Sequence, residues 1–158
     1  MGMIGQYVAM PNELIVKLAE GSLLLNDVDL QKYEGLDIDK SWEGIHFWLT
    51  EELNDGEPPQ GYVVPLRDEQ YLDFESFGAF YLFVDQVKEA AVYLERVTED
   101  ELKERYDFQT MVDEQIYPLV EGDEQQEFYD YLKVNLDKIG RFYAKSVAEG
   151  KGIVFYIF

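Results

Sequence analysis

His46 is the only histidine in the chain, and imidazole is the one side chain that changes charge near neutral pH without help. It stands four residues after Trp42 and four before Thr50, with Asp39 seven residues back. On a helix these four positions share a face. One arrangement is a polar cluster in a cleft, with His46 as acid, base or ligand contact. The other is a histidine at the edge of the core, its ring nitrogens bonded to a backbone carbonyl and to Asp39 or Thr50. The second is the commoner use of such a group, since structural hydrogen-bond networks employ the same residue types.

Other catalytic patterns find little support. With no cysteine, thiol nucleophiles, thiolate metal sites and disulfides are excluded. Four serines (Ser22, Ser41, Ser76 and Ser146) would share one histidine, and no spacing favours any of them. Phosphate-cradling glycine loops and a G-x-S-x-G elbow are missing. Asp37-x-Asp39-x-Ser41-x-Glu43 begins like a calcium loop, but Trp42 and Trp48 stand where glycine and the closing glutamate belong. Carboxylate pairs abound among 33 acids, so pairing alone signals nothing. No metal and no cofactor is expected.

The elements that must position His46 are legible in part. Residues 3–10 read as a first strand, Pro11 as the opening of a helix that Gly21 stops, and Asp37 to Thr50 as a second helix capped by Asp39. Residues 51–61 are loop, with Asn-Asp-Gly and Pro-Pro as punctuation. Tyr62 to Leu66 reads as a strand, and Phe77 to Phe83 as a stronger one. A helix follows from Val84. Thr98-Glu-Asp-Glu101 has the form of a capping box, and Asp107 can cap the next turn. Phe128, Leu132, Leu136, Ile139, Tyr143 and Val147 form one apolar stripe, a helix of about 25 residues. Asp137 and Arg141, four apart on its polar side, are placed to pair. The tail from Ile153 to Phe158 is nearly pure strand former and must be buried on both faces or form a sticky edge. This order predicts an α+β fold: a single domain over 1–158, with a small mixed sheet covered by helices, one of them long and C-terminal.

Aromatic residues make up 15% of the chain, which argues for an ordered core. The formal charge is −20. Residues 43–75 carry nine acids and only Arg67 as a base, whereas residues 133–151 carry five bases and two acids. Such a surface repels nucleic acid and speeds encounter with cationic partners. No stretch is apolar enough to span a membrane, and no signal peptide is visible, so a cytoplasmic protein is expected.

Several segments carry a family resemblance. Met1-Gly-Met-Ile-Gly5, Leu36-Asp-Ile-Asp-Lys-Ser-Trp42 with His46-Phe47 and Leu49-Thr50, and Ile116-Tyr-Pro118 are similar to the YfbM-like family of bacterial single-domain proteins of unknown function. The family's polar cap and proline at a strand-to-helix junction are replaced here by Phe83-Val84. The resemblance implies a compact α+β domain and no established reaction. It marks Asp37, Asp39, Lys40, Trp42 and His46; with Thr50 these form the candidate binding cluster. Three functional readings follow. The favoured one is a non-enzymatic acidic protein that binds a basic protein partner, in the manner of an inhibitor or immunity protein. The alternative is a small-molecule-binding domain or enzyme built around His46. The third is a homodimer formed through the long helix or terminal strand.

Overall fold

The computed structural model describes residues 2–158. Met1, the first residue of the resemblance, lies outside them. Five strands form one sheet in the order β2-β1-β5-β4-β3: β1 (Gly5–Pro11), β2 (Gly35–Asp37), β3 (Tyr71–Leu72), β4 (Ala79–Leu82) and β5 (Lys151–Ile157). The helices are α1 (Asn12–Glu20), α2 (Trp42–Thr50), α3 (Val84–Arg96), α4 (Glu99–Arg105), α5 (Phe108–Asp113) and α6 (Gln125–Ala148). The α+β class and the long C-terminal helix agree with the sequence. The sheet is not mixed, because every pairing is antiparallel. β5 enters the middle of the sheet and runs against both neighbours, β1 and β4.

That central position accounts for the apolar tail. Ile153, Phe155 and Ile157 face the larger core, under α2, α3 and α6, while Val154 faces a smaller core under α1. α6 buries Phe128, Leu132, Leu136, Ile139 and Tyr143, as the stripe requires. Gly44 lets α2 approach α6: a Cβ there would sit 2.8 Å from the Leu132 side chain. Gly140 has no such reason. A Cβ there would meet only the Cβ of Leu94, at 3.9 Å, although glycine inside a helix costs about 1 kcal/mol against alanine.

Several ends match local chemistry. Gly21 closes α1 with φ 80°, and Thr98 accepts from the N–H of Glu101 at 3.1 Å. At α3, where Phe83-Val84 replaces a polar cap, the Gln86 side chain accepts from the Phe83 N–H and the Asn12 side chain from the Val84 N–H. The expected Asp137–Arg141 pair does not form. Asp137 pairs with Lys133 at 2.9 Å, on the opposite side in sequence.

Two further expectations are corrected. The helix read from Asp37 begins only at Trp42, because residues 35–37 pair with β1 and a short 3₁₀ turn follows. Tyr62 to Leu66 is not a strand. It opens in a 3₁₀ turn and continues irregularly, although Val63 and Val64 are fully buried. A buried segment without a ladder must find other donors for its carbonyls. Tyr143 donates its hydroxyl to the carbonyls of Tyr62 and Val63 at 2.8 and 3.0 Å. Tyr7 donates to Val63 at 2.6 Å, and His46 bonds Val64 through Nδ1 at 2.9 Å. Replacing Tyr143 with Phe removes a donor that both carbonyls share. Urea unfolding should show a loss of about 1–3 kcal/mol with an unchanged slope. A loss under 0.5 kcal/mol would mean that the hydroxyl does not hold this segment.

Candidate functional site

The six candidate residues separate into two places. Asp37, Asp39, Lys40 and Trp42 gather where the N-terminal segment, the turn before α2 and the first third of α6 meet. Asp39 adopts φ 54°, a left-handed conformation uncommon for a residue with a Cβ. Its N–H donates to the Asp37 carboxylate at 2.7 Å, and its own carboxylate accepts from the Tyr131 hydroxyl at 2.8 Å. The Lys40 N–H in turn donates to the same Tyr131 oxygen at 2.9 Å. Burial, and then the bond to Asp39, push the Tyr131 phenol well above the usual tyrosine range.

Trp42 sits beside this clamp. Its Nε1–H donates to the Met3 carbonyl at 2.9 Å, while the Met3 N–H donates to the Tyr117 hydroxyl at 2.8 Å. Both backbone groups of Met3 are therefore held by aromatic side chains. The Tyr117 N–H donates to Glu43 at 3.0 Å, and the Tyr117 and Trp42 rings lie 6.0 Å apart. The three segments that carry the family resemblance thus meet at one junction. Its hydrogen bonds fasten the segment before β1 to α2 and to Tyr117, and the turn before α2 to α6.

His46 and Thr50 lie elsewhere. Asp39 is outside the helix, so the spacing of seven that would align it with His46 does not apply. His46 is 1% exposed and turned toward Val64. Bonding a carbonyl makes Nδ1 the protonated nitrogen of a neutral ring, and Nε2 is buried without a partner. Burial lowers the imidazole pKa from its ordinary value, against the opposing pull of the Val64 and Asn54 backbone and the Asp55 carboxylate. Thr50 bonds back to the His46 carbonyl at 2.8 Å and accepts from the Glu52 N–H, shaping the end of α2.

A cavity of about 590 Å³ opens between α3 and α6 and is lined by none of the six. The cavity takes Leu136 and Val147 from the core stripe of α6 and Lys133, Gly140, Arg141 and Ala144 from the flank beside it, which periodicity does not mark. Tyr131 was likewise hidden, because its partners are some 91 and 92 positions away in the chain. No group of three or more His, Cys, Asp or Glu that could hold a metal is present among the described residues. No helix among them is long and apolar enough to cross a membrane.

An antiparallel five-strand sheet backed by a long C-terminal helix, with its N-terminal strand fastened at this junction, defines the structural class. The chain belongs to the DUF1877 family, a domain of unknown function whose model matches residues 1–156. Its fold is similar to the crystal structure of YfbM from Escherichia coli, itself a protein of unknown function. That match has a TM-score of 0.78 and 22% identity over 98% of this chain and 99% of the other. No curated protein matches the chain.

The buried imidazole gives a pH signature. The unfolded chain takes up a proton near pH 6.5, before the folded one does. The His46 contribution is therefore complete above that pH and is lost as the pH falls below it. Urea unfolding from pH 7.5 to 5.0 should show stability falling with acid in the native protein. His46→Asn, which keeps a donor toward Val64, should lose most of that slope. Equal slopes would contradict the assignment.

Proposed function

We propose that the chain is a non-enzymatic binding protein for a cationic protein surface. The observation that carries this reading is the segment 68–78, which includes β3 and the turn into β4. Carboxylates of Asp68, Glu69, Asp73 and Glu75 alternate there with Tyr71, Phe74 and Phe77. Tyr71 and Phe77 are each 49% exposed, an unusual state for large aromatic side chains. None of the four carboxylates joins an ion pair among the described residues. From Phe74 an aromatic row continues to Tyr156 at 5.2 Å and from there to Phe158 at 5.8 Å, the last 55% exposed.

Aromatic rings supply desolvated area in a binding patch, and surrounding charge steers the encounter. β3 pairs only with β4, so its outer edge keeps free backbone groups that could support an added strand. The −20 net charge supports a basic partner and opposes nucleic acid. The buried state of His46 and the structural use of the Asp39 clamp favour recognition over bond-making.

The test uses isotope-labelled protein and a synthetic peptide that alternates lysine with leucine. Amide shift changes should concentrate at 68–80 and 154–158. Charge reversal by Asp73→Lys with Glu75→Lys should weaken binding at least tenfold. Weak shifts spread over every acidic surface, indifferent to the reversal, would sink the proposal.

A further inference from the structure

We propose that the cavity between α3 and α6 is a binding site for a small amphipathic anion, an acyl or aromatic carboxylate. Its floor is apolar, made by Ala91, Leu94, Leu136, Gly140, Ala144 and Val147. Its volume of about 590 Å³ falls within the range of small-molecule sites.

Gly140 is the first argument. It lies in the interior of the 24-residue α6, where glycine weakens a helix. The packing of the chain itself does not require it, since the position of a Cβ is free of any atom closer than 3.9 Å. What the missing side chain does leave is open space on the floor of this cavity.

Charge is the second argument. Lys133 is engaged by Asp137 at 2.9 Å and by Glu99 at 3.4 Å. Glu99 also accepts from the Tyr129 hydroxyl at 3.0 Å, which helps hold that carboxylate ionised below the usual range. Of the other charged lining groups, Lys88 and Arg141 make no ion pair among the described residues and face one further carboxylate, Glu95. On a chain with 33 acids and 13 bases, two cations left without partners beside an apolar floor are complementary to an anionic head on an apolar body.

The experiment titrates the protein with anilinonaphthalene sulfonate, an aromatic anion, and with N-phenylnaphthylamine, its uncharged counterpart. Decanoate serves as competitor. Lys88→Glu with Arg141→Glu should weaken the sulfonate at least tenfold and change the uncharged probe less than twofold. Gly140→Leu should weaken both probes at least tenfold. Gly140→Ala provides the check on folding: it should raise the urea midpoint while weakening the probes. Decanoate should displace the sulfonate from the native protein. Sulfonate binding that is unchanged in a folded Gly140→Leu variant, or in the double charge reversal, would overturn the proposal. So would failure of decanoate to compete.

Discussion

The buried carbonyls of Tyr62, Val63 and Val64 set the strongest constraint on this fold. An irregular backbone inside a core leaves acceptors without ladder partners, and each unpaired acceptor costs free energy comparable to a lost hydrogen bond. Here most of the donors are side chains: Tyr7 from β1, Tyr143 from α6 and His46 from α2, with the Leu66 N–H as a second donor to Val64. One short segment thereby ties a central strand, the long helix and the helix bearing the sole histidine. The Tyr7 and Tyr143 rings also pack edge to face, 5.7 Å apart, so the polar contacts sit inside an aromatic cluster. The residues with the most chemical promise by type are consumed in holding the chain together.

That use explains where the sequence was legible. Stretches governed by local periodicity or capping were readable: the α6 stripe, the glycine stop at Gly21, the Thr98 cap and the β-rich tail. The Tyr-Val-Val run at 62–64 has the composition of a strand, yet side-chain donors distant in sequence satisfy its backbone instead of a neighbouring strand. Asp39 has the composition of a helix cap, but its position is set by Tyr131, which lies off the apolar stripe of α6. Both departures come from contacts between residues far apart in the chain, which a single sequence does not display. The segments that carry the family resemblance meet at the N-terminal junction, and the resemblance gave no sign that their bonds would fasten the chain.

The two surfaces left over differ in character. The segment 68–78 presents carboxylates without ion pairs among the described residues beside exposed rings, and the proposed contact with a cationic protein rests on it. The cavity between α3 and α6 gathers Lys133 and Arg141 from the base-rich end of the sequence, and Lys88 from α3, over an apolar floor. The charge asymmetry visible along the chain is thus resolved in space into an acidic edge strand and a charge-balanced groove. Neither surface draws on the buried His46.

The most direct test of the account is the protonation state of that imidazole, read by nitrogen NMR of the labelled ring. The account predicts a neutral ring protonated at Nδ1, with Nε2 free of hydrogen and the titration displaced below the ordinary histidine value. A ring protonated at Nε2 would show that Nδ1 does not serve the Val64 carbonyl, a ring titrating at or above pH 6.5 would show that burial does not govern it, and either would return His46 to the list of groups available for chemistry.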